Sequence, residues 1–433
     1  MMDRYSATLD YLYNRLPMFQ RTGPAAYKNS LENTLLLDNM YGSPHRHYPT
    51  LHIAGTNGKG SVSHMLAAVL QSAGFRCGLY TSPHLKDFRE RIRINGKVIP
   101  RAEVIRWVEA FRIRNQTAGV EPSFFELTAA MAFDFFARKK VDIAVIETGL
   151  GGRLDSTNII NPLISVITNI SYDHVPLLGT NLEQIAGEKA GIIKPGIPVV
   201  ISQYQPETAD VFRKRAEREG APLFFAGLEY QASYSMKDTD GKQILNFRRH
   251  DTLVYKDLKT DLPGLYQRFN IPAVLKSVEL LRESGWKIPD KAVYRGLSEV
   301  TTLTGLQGRW QIIGHNPLIV CDTGHNEDGI REVVSQIRQT PHRKLHFVLG
   351  VVADKDVSKI LPLLPKEATY YFTKANIPRA MEAGHLRDKA AESGLLGESY
   401  PKVRQAFEAA KAAAQKEDLV FVGGSNFVVA EIL

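Results

Sequence analysis

Cysteine is almost absent from this sequence: Cys77 and Cys321 are the only two in 433 residues. Two thiols cannot build a disulfide framework, and their scarcity suits a reducing compartment, so a cytoplasmic protein is expected. Long apolar runs are missing as well. The longest, such as Val141 to Ile146, are strand-sized and edged by charge, far short of the roughly 20 residues that a membrane-spanning helix needs. Met1 to Asp10 carries acidic and polar residues where a secretory leader would need its apolar stretch. Dense Lys/Arg runs with interleaved aromatics are lacking, so the formal charge of +8 does not argue for a nucleic-acid partner. Basic residues scattered along the chain suit small anionic substrates, nucleotides and polycarboxylates among them. Neither an internal repeat nor a low-complexity tract is visible, which excludes solenoid and disordered architectures.

What is present is an average globular composition, 44% hydrophobic and 23% charged, over a length that suits two domains of unequal size. After an N-terminal segment rich in helix formers and aromatics (Tyr5 to Met40), Leu51 to Ala54 reads as a strand. Apolar positions Val62, Met65, Leu66, Val69 and Leu70 then recur at helical spacing before Gly74. Strands follow at Cys77–Tyr80, Val141–Ile146, Leu163–Thr168 and Pro198–Ile201, with helices near Ala102–Arg112, Phe125–Arg138 and Arg268–Leu281. Short apolar strands separated by amphipathic helices predict an α/β fold with a mainly parallel sheet covered on both faces. Phe224 to Leu258, with its Asp240-Gly241 pair, reads as antiparallel hairpins. Around Gly296 to Gly308 the pattern turns Thr- and Gly-rich, so we expect an N-terminal domain over 1–296, a linker over 297–307 and a C-terminal domain over 308–433. The latter should be a smaller α/β, Rossmann-like sheet, with strands at Leu318–Cys321, Leu345–Val351, Thr369–Phe372 and Leu419–Val422 and helices at Gly329–Gln339 and Lys402–Gln415.

Between the first strand and its helix lies Gly55-Thr56-Asn57-Gly58-Lys59-Gly60-Ser61. Such a loop aims backbone amides at one point, sets the positive end of a helix there and adds the Lys59 ammonium, an arrangement that binds phosphate. The spacing departs from Gly-x-x-x-x-Gly-Lys-Ser/Thr, because two residues separate Gly55 from Gly58 and Gly60 intervenes between Lys59 and Ser61. On the loop alone, a glycine turn with an exposed lysine is the competing reading. The departure itself resembles the loop of the Mur ligase superfamily in its folate branch, the folylpolyglutamate synthase/dihydrofolate synthase family. Further matches follow in that family's order: Leu16-Pro17-Met18-Phe19-Gln20-Arg21, Pro44-His45, Thr81-Ser82-Pro83-His84-Leu85 and Glu90-Arg91-Ile92. Next come Glu147-Thr148-Gly149-Leu150-Gly151-Gly152-Arg153-Leu154-Asp155, Asp173-His174, Glu188-Lys189-Ala190-Gly191-Ile192-Ile193-Lys194, Gly308-Arg309 and His325-Asn326.

Glu147 follows an apolar strand at its carboxyl end, where ligands bind in open α/β sheets, so its carboxylate is a candidate metal ligand, with a turn cap as the alternative. The resemblance implies ATP bound on the glycine loop, one magnesium held by Ser61 and Glu147, and a second by Ser82, Glu147 and His174. Read without it, His174 is a turn histidine and Ser82 an ordinary residue before proline. Lys189 and Lys194 follow a helical stretch that opens near Thr180 to Glu183 with the look of a capping box; two lysines there are ordinarily solvated charge. The resemblance implies that Lys189 is carboxylated to a carbamate. It also implies that the adenosine sits between domains on Asn270, Arg309, Asp322 and His325, where Arg309 could neutralise the transferring phosphoryl group on closure. This chain has Asp322-Thr323-Gly324-His325-Asn326-Glu327 where the family more often has Asp-Gly-Ala-His-Asn-Pro.

For the second substrate the resemblance implies Ser123, Phe125, Asp155 and Ser156 around a pterin; an aromatic face with a carboxylate suits a flat, hydrogen-bonding heterocycle, although Phe125 reads equally well as core. The expected activity is an ATP-dependent ligase that adds L-glutamate to dihydropteroate, to glutamylated folates, or to both, through an acyl phosphate, acting as a monomer. Two alternatives stand beside it. A cell-wall Mur ligase would need an extra domain that the roughly fifty residues before the loop are too few to supply. A non-catalytic nucleotide switch is disfavoured by Thr168-Asn169-Ile170, which is not the guanine-reading Asn-Lys-x-Asp pattern.

Overall fold

Thr50–Ala54 (β1) is buried at every residue, as an apolar run with helices on both faces of its sheet must be. The computed structural model describes residues 3–18, 30–238, 241–353 and 355–433. Phe19, Gln20 and Arg21 of the N-terminal family match, and Asp240 of the expected turn, lie outside the described residues. By its internal contacts the chain divides into two units, Met1–Asp261 with Gln267–Gly305, and Leu262–Tyr266 with Leu306–Leu433.

In the first unit β1 is joined by Cys77–Tyr80 (β2), Ile92–Ile94 (β3), Lys97–Val98 (β4), Ile143–Glu147 (β5), Ile164–Ile167 (β6), Val199–Ile201 (β7) and Leu223–Phe225 (β8). Their order across the sheet is β4-β3-β2-β5-β1-β6-β7-β8. The run from β2 to β8 is parallel, as expected, and an unanticipated antiparallel hairpin, β3 and β4, closes one edge. Strand β1 thus lies between β5 and β6, so the residues that follow these three strands emerge side by side at the carboxyl edge. The Phe124–Arg138 helix buries Phe124, Leu127, Met131, Phe133, Phe135 and Phe136 on the core side. Each such side chain contributes about 1.5–3 kcal/mol on burial.

The hairpin reading of Phe224 to Leu258 needs adjustment. Leu223–Phe225 belongs to the main sheet, and the antiparallel element is a separate three-stranded sheet of Tyr230–Lys237 (β9), Gln243–Arg249 (β10) and Thr252–Thr260 (β11). Residues 297–307, read as a linker, are largely helical: the Asp290–Ser298 helix runs into them, and Val300–Thr304 forms another. The carboxylate of Asp261 caps that second helix, accepting from Val300 N at 3.0 Å and Thr301 N at 2.9 Å. A partner 39 residues upstream offsets the weak helix propensity of the Thr-rich stretch.

The second unit carries a six-stranded sheet of Gln311–His315 (β12), Leu318–Cys321 (β13), Leu345–Leu349 (β14), Thr369–Thr373 (β15), Gly397–Tyr400 (β16) and Leu419–Gly423 (β17). Their order is β12-β13-β17-β14-β15-β16, parallel apart from the β12–β13 edge pair. Both cysteines are buried and neither forms a disulfide. Among the described residues no helix is long and apolar enough to cross a membrane.

Candidate active site

The glycine loop begins where β1 ends. Gly55 adopts φ +142° and Gly58, at the start of the Lys59–Ser72 helix, φ +87°, both in the region that favours glycine. A Cβ on Gly55 would lie 1.8 Å from Thr168 Oγ1, so the loop presses on the segment after β6 with no room for a side chain. That segment clasps it. Thr56 N donates to Asn169 O (2.8 Å), Asn57 N to Asn169 Oδ1 (2.8 Å), Thr56 Oγ1 to Ser171 O (3.2 Å) and Thr168 Oγ1 to Asn57 O. Thr168, Asn169 and Ser171 are thus the loop's scaffold, a role the sequence signalled only through the strand that precedes them.

The Lys59 ammonium folds back on its own loop, donating to Gly55 O at 2.9 Å and Thr56 O at 3.1 Å. Lys189 meets the same carbonyl, its Nζ 2.8 Å from Gly55 O. Far from being solvated, Lys189 is 3% exposed. It is the last residue of the Leu182–Lys189 helix, which starts one residue later than the expected box, with Asn181 accepting from Gln184 N. Burial first, and the nearby Lys59 charge second, push the Lys189 pKa down to about 7. A lysine held there is a substantial fraction neutral amine at physiological pH.

On the Gln267–Glu283 helix, Gln267 donates from Nε2 to Ser61 Oγ at 3.3 Å. Its Oε1 accepts from Asn270 Nδ2 at 2.8 Å, which fixes the amide's orientation. The loop, Lys189, Gln267 and Asn270 therefore form one hydrogen-bonded constellation; Gln267 was not singled out from sequence, since a buried glutamine in an amphipathic helix carries no motif.

Glu147 is the last residue of β5, 2% exposed, and accepts from Ser82 N at 3.4 Å. His174 has φ +53°, rare for a residue with a side chain, and its backbone N donates to Asp173 Oδ1 at 2.8 Å. Asp155 is 4% exposed. It accepts from Gly149 N (2.8 Å), Leu150 N (2.9 Å), Thr157 N (3.0 Å) and the Thr157 hydroxyl. Burial raises its pKa while these donors oppose the rise. The carboxylate read as a ligand for a heterocycle thus turns inward and folds the glycine loop after β5. Phe125 packs over that loop, where a Cβ on Gly149 would meet its ring at 2.5 Å, and Ser156 is buried beside Asp155. Ser123 caps the Phe124–Arg138 helix: its hydroxyl accepts from Glu126 N (3.2 Å), and Glu126 answers from Ser123 N (2.6 Å).

In the second unit, the Gly308–Trp310 segment and the 322–325 loop are tied together. Thr323 N donates to Gly308 O (3.1 Å), and Arg309 donates to Gly308 O (3.2 Å) and to Thr323 Oγ1. Asp322 accepts from Tyr266 Oη (2.6 Å), Trp310 N (2.7 Å) and Gly324 N (2.7 Å), and His325 Nδ1 lies 2.9 Å from Thr323 O, as its donor. Arg309, Asp322 and His325 are thereby gathered at the carboxyl end of β13.

Comparison with known proteins agrees with this arrangement. Residues 53–278 match the Mur ligase middle domain and residues 308–426 the Mur ligase glutamate ligase domain. The dihydrofolate synthase/folylpolyglutamate synthase of Bacillus subtilis is 32% identical over 440 residues, covering 100% of this chain and 99% of that protein. The Mycobacterium tuberculosis folylpolyglutamate synthase structure complexed with ADP superposes with a TM-score of 0.87 at 32% identity, covering 99% of this chain and 98% of that one. The Escherichia coli FolC structure in complex with DHPP and ADP gives 0.84 at 29% identity, covering 99% and 96%. A glycine loop of the folate-branch form, matched across both domains at full length, places the chain in the Mur ligase family, among the dihydrofolate synthases/folylpolyglutamate synthases.

Proposed function

We propose that the protein is an ATP-dependent ligase that joins L-glutamate by an amide bond to dihydropteroate, to folates already bearing glutamate, or to both, releasing ADP and phosphate. The observation that carries this reading is the glycine loop with Lys59, which follows β1, next to the parallel strand β5 that ends on the buried Glu147. Full-length similarity to folate ligases sets aside the cell-wall ligase and the nucleotide switch.

In the first step a carboxylate oxygen of the folate substrate attacks the γ-phosphorus, the bond to the β-phosphate oxygen breaks and ADP leaves. In the second, the glutamate nitrogen attacks the acyl carbon, phosphate departs and the amine gives up a proton. Loop amides and Lys59 hold the phosphates in line, so positioning and electrostatics supply most of the acceleration. Asn270, Arg309, Asp322 and His325 would hold the nucleotide. Ser123, Phe125, Asp155 and Ser156 would shape the pterin pocket, Asp155 through the loop it folds.

Among the described residues no group of three or more His, Cys, Asp or Glu side chains could hold a metal. Magnesium binds through one or two carboxylates plus phosphates and water and needs no protein cage. Ser61 and Glu147 would hold one ion and Ser82, Glu147 and His174 a second, supplying positive charge at the phosphates. Lys189, partly neutral, is the amine we assign to carbamate formation: its nitrogen bonds to the carbon of CO2 and releases one proton. The enzyme is read as a cytoplasmic monomer.

The test is incubation with Mg-ATP, L-glutamate and either dihydropteroate or tetrahydrofolate, with products weighed by mass spectrometry. A mass gain of one glutamyl residue with ADP and phosphate is expected; AMP and pyrophosphate would overturn the scheme.

A further inference from the structure

His52 occupies the middle of the central strand β1, where both neighbours in the sheet are parallel strands and a β-branched apolar residue is the ordinary occupant. Its side chain is wholly buried. Nε2 lies 2.8 Å from Thr157 Oγ1, while Nδ1 has no hydrogen-bond partner among the described residues. Burying an imidazole nitrogen without a partner costs folding free energy that valine or isoleucine would not cost. Some compensating interaction must therefore justify a histidine.

The direction of the hydrogen bonds supplies it. Thr157 has one hydroxyl proton, and Asp155, which already accepts three backbone amides, can only accept. The Thr157 hydroxyl therefore donates to Asp155 Oδ1. It must then accept from His52, which places the imidazole proton on Nε2 and leaves the orphan nitrogen as Nδ1. Burial and Lys194 keep the ring neutral, its pKa pushed down to about 3, so this tautomer persists. The sequence thus runs from β1 through Thr157 to Asp155 and on to the amides of Gly149 and Leu150, two and three residues after Glu147.

We propose that His52 is a positioning residue for the folate side of the site: through the Thr157 hydroxyl it fixes Asp155 and hence the glycine loop after β5. The proposal rests on the reading that this loop lines the folate pocket, and it goes further by naming a buried residue with no contact to substrate.

The test compares steady-state kinetics of His52→Leu, His52→Gln, Thr157→Val and Asp155→Asn in the full chain. His52→Leu is expected to raise KM for tetrahydrofolate about tenfold or more, the loss of a hydrogen bond in a relay to a carboxylate, with KM for ATP nearly unchanged. His52→Gln, whose Nε2 can place an N–H donor where the imidazole does, should restore most of that affinity. Thr157→Val removes the same relay without touching β1, so it reproduces the effect even if His52→Leu fails to fold. Raised KM for ATP and tetrahydrofolate alike in His52→Leu, with no rescue by glutamine, overturns the proposal in favour of a simple packing defect. An unchanged folate KM in His52→Leu and Thr157→Val, against a raised one in Asp155→Asn, overturns the relay alone. An unchanged folate KM in Asp155→Asn overturns the pocket reading itself.

Discussion

Gly58 and Asn270 approach so closely that a Cβ on the glycine would lie 2.2 Å from Asn270 Oδ1. The glycine also sits at φ +87°. The phosphate loop and the helix that carries Gln267 and Asn270 therefore meet through a contact that admits no side chain, and the loop's amide directions depend on it.

Gly58→Ala should accordingly damage nucleotide binding more than folding. Left-handed strain alone costs about 1–2 kcal/mol, and displacing Asn270 adds to it. Calorimetric titration with ADP should show affinity lower by about tenfold or more, while far-UV circular dichroism stays native.

Lys59→Ala removes the loop's ammonium and leaves its backbone in place. Activity with dihydropteroate and with tetrahydrofolate should fall together. Full activity with either substrate would take Lys59 out of the mechanism.

Lys189 carries a pH signature whose sign is fixed. Its folded-state pKa of about 7 lies below the ordinary 10.5, so between those values the unfolded chain binds more protons than the folded one. Stability contributed by this group rises with pH across that window and is lacking below it. Urea unfolding in CO2-free buffer should therefore show the wild type gaining on Lys189→Met between pH 7 and 9. In 13C-bicarbonate the wild type should show a carbamate carbon resonance that Lys189→Met lacks; its absence from the wild type would remove the carbamate from the reading.

Ser123→Ala deletes one arm of a capping box. The loss should be about 1 kcal/mol of stability, read from the urea midpoint, because Glu126 N loses its acceptor. A larger rise in folate KM than that small loss explains would give Ser123 a substrate contact as well as its cap.

Legibility in the sequence followed the range of the interactions. The glycine loop, the strands beside it and the helix after it are specified by neighbours in sequence, and they stand where periodicity and turn residues put them. Lys189 was opaque because its partner, Gly55 O, lies 134 residues away, so nothing nearby distinguishes it from a solvated lysine. Asp155 was named by the family resemblance, and its role in folding the loop after β5 was not legible, because only the folded loop brings donors from both its sides onto it. Residues 300–304 looked like linker because threonines are weak helix formers, and the cap that rescues them belongs to Asp261. The β3–β4 edge was missed because strands of three and two residues carry no periodicity to read. Family resemblance named Asn270, Arg309, Asp322 and His325, whereas Gln267, Thr168 and His52 emerged only from geometry.

Gly55 O accepts two ammonium groups at once, Lys59 and Lys189. One carbonyl cannot neutralise two cations, so they repel each other across it, and that repulsion adds to burial, the larger cause, in lowering the Lys189 pKa. An arriving polyphosphate is thus met by a spring already compressed, and its charge relaxes the pair. Nucleotide binding then acts as a chemical thermostat for this end of the sheet, raising the melting temperature with ligand concentration.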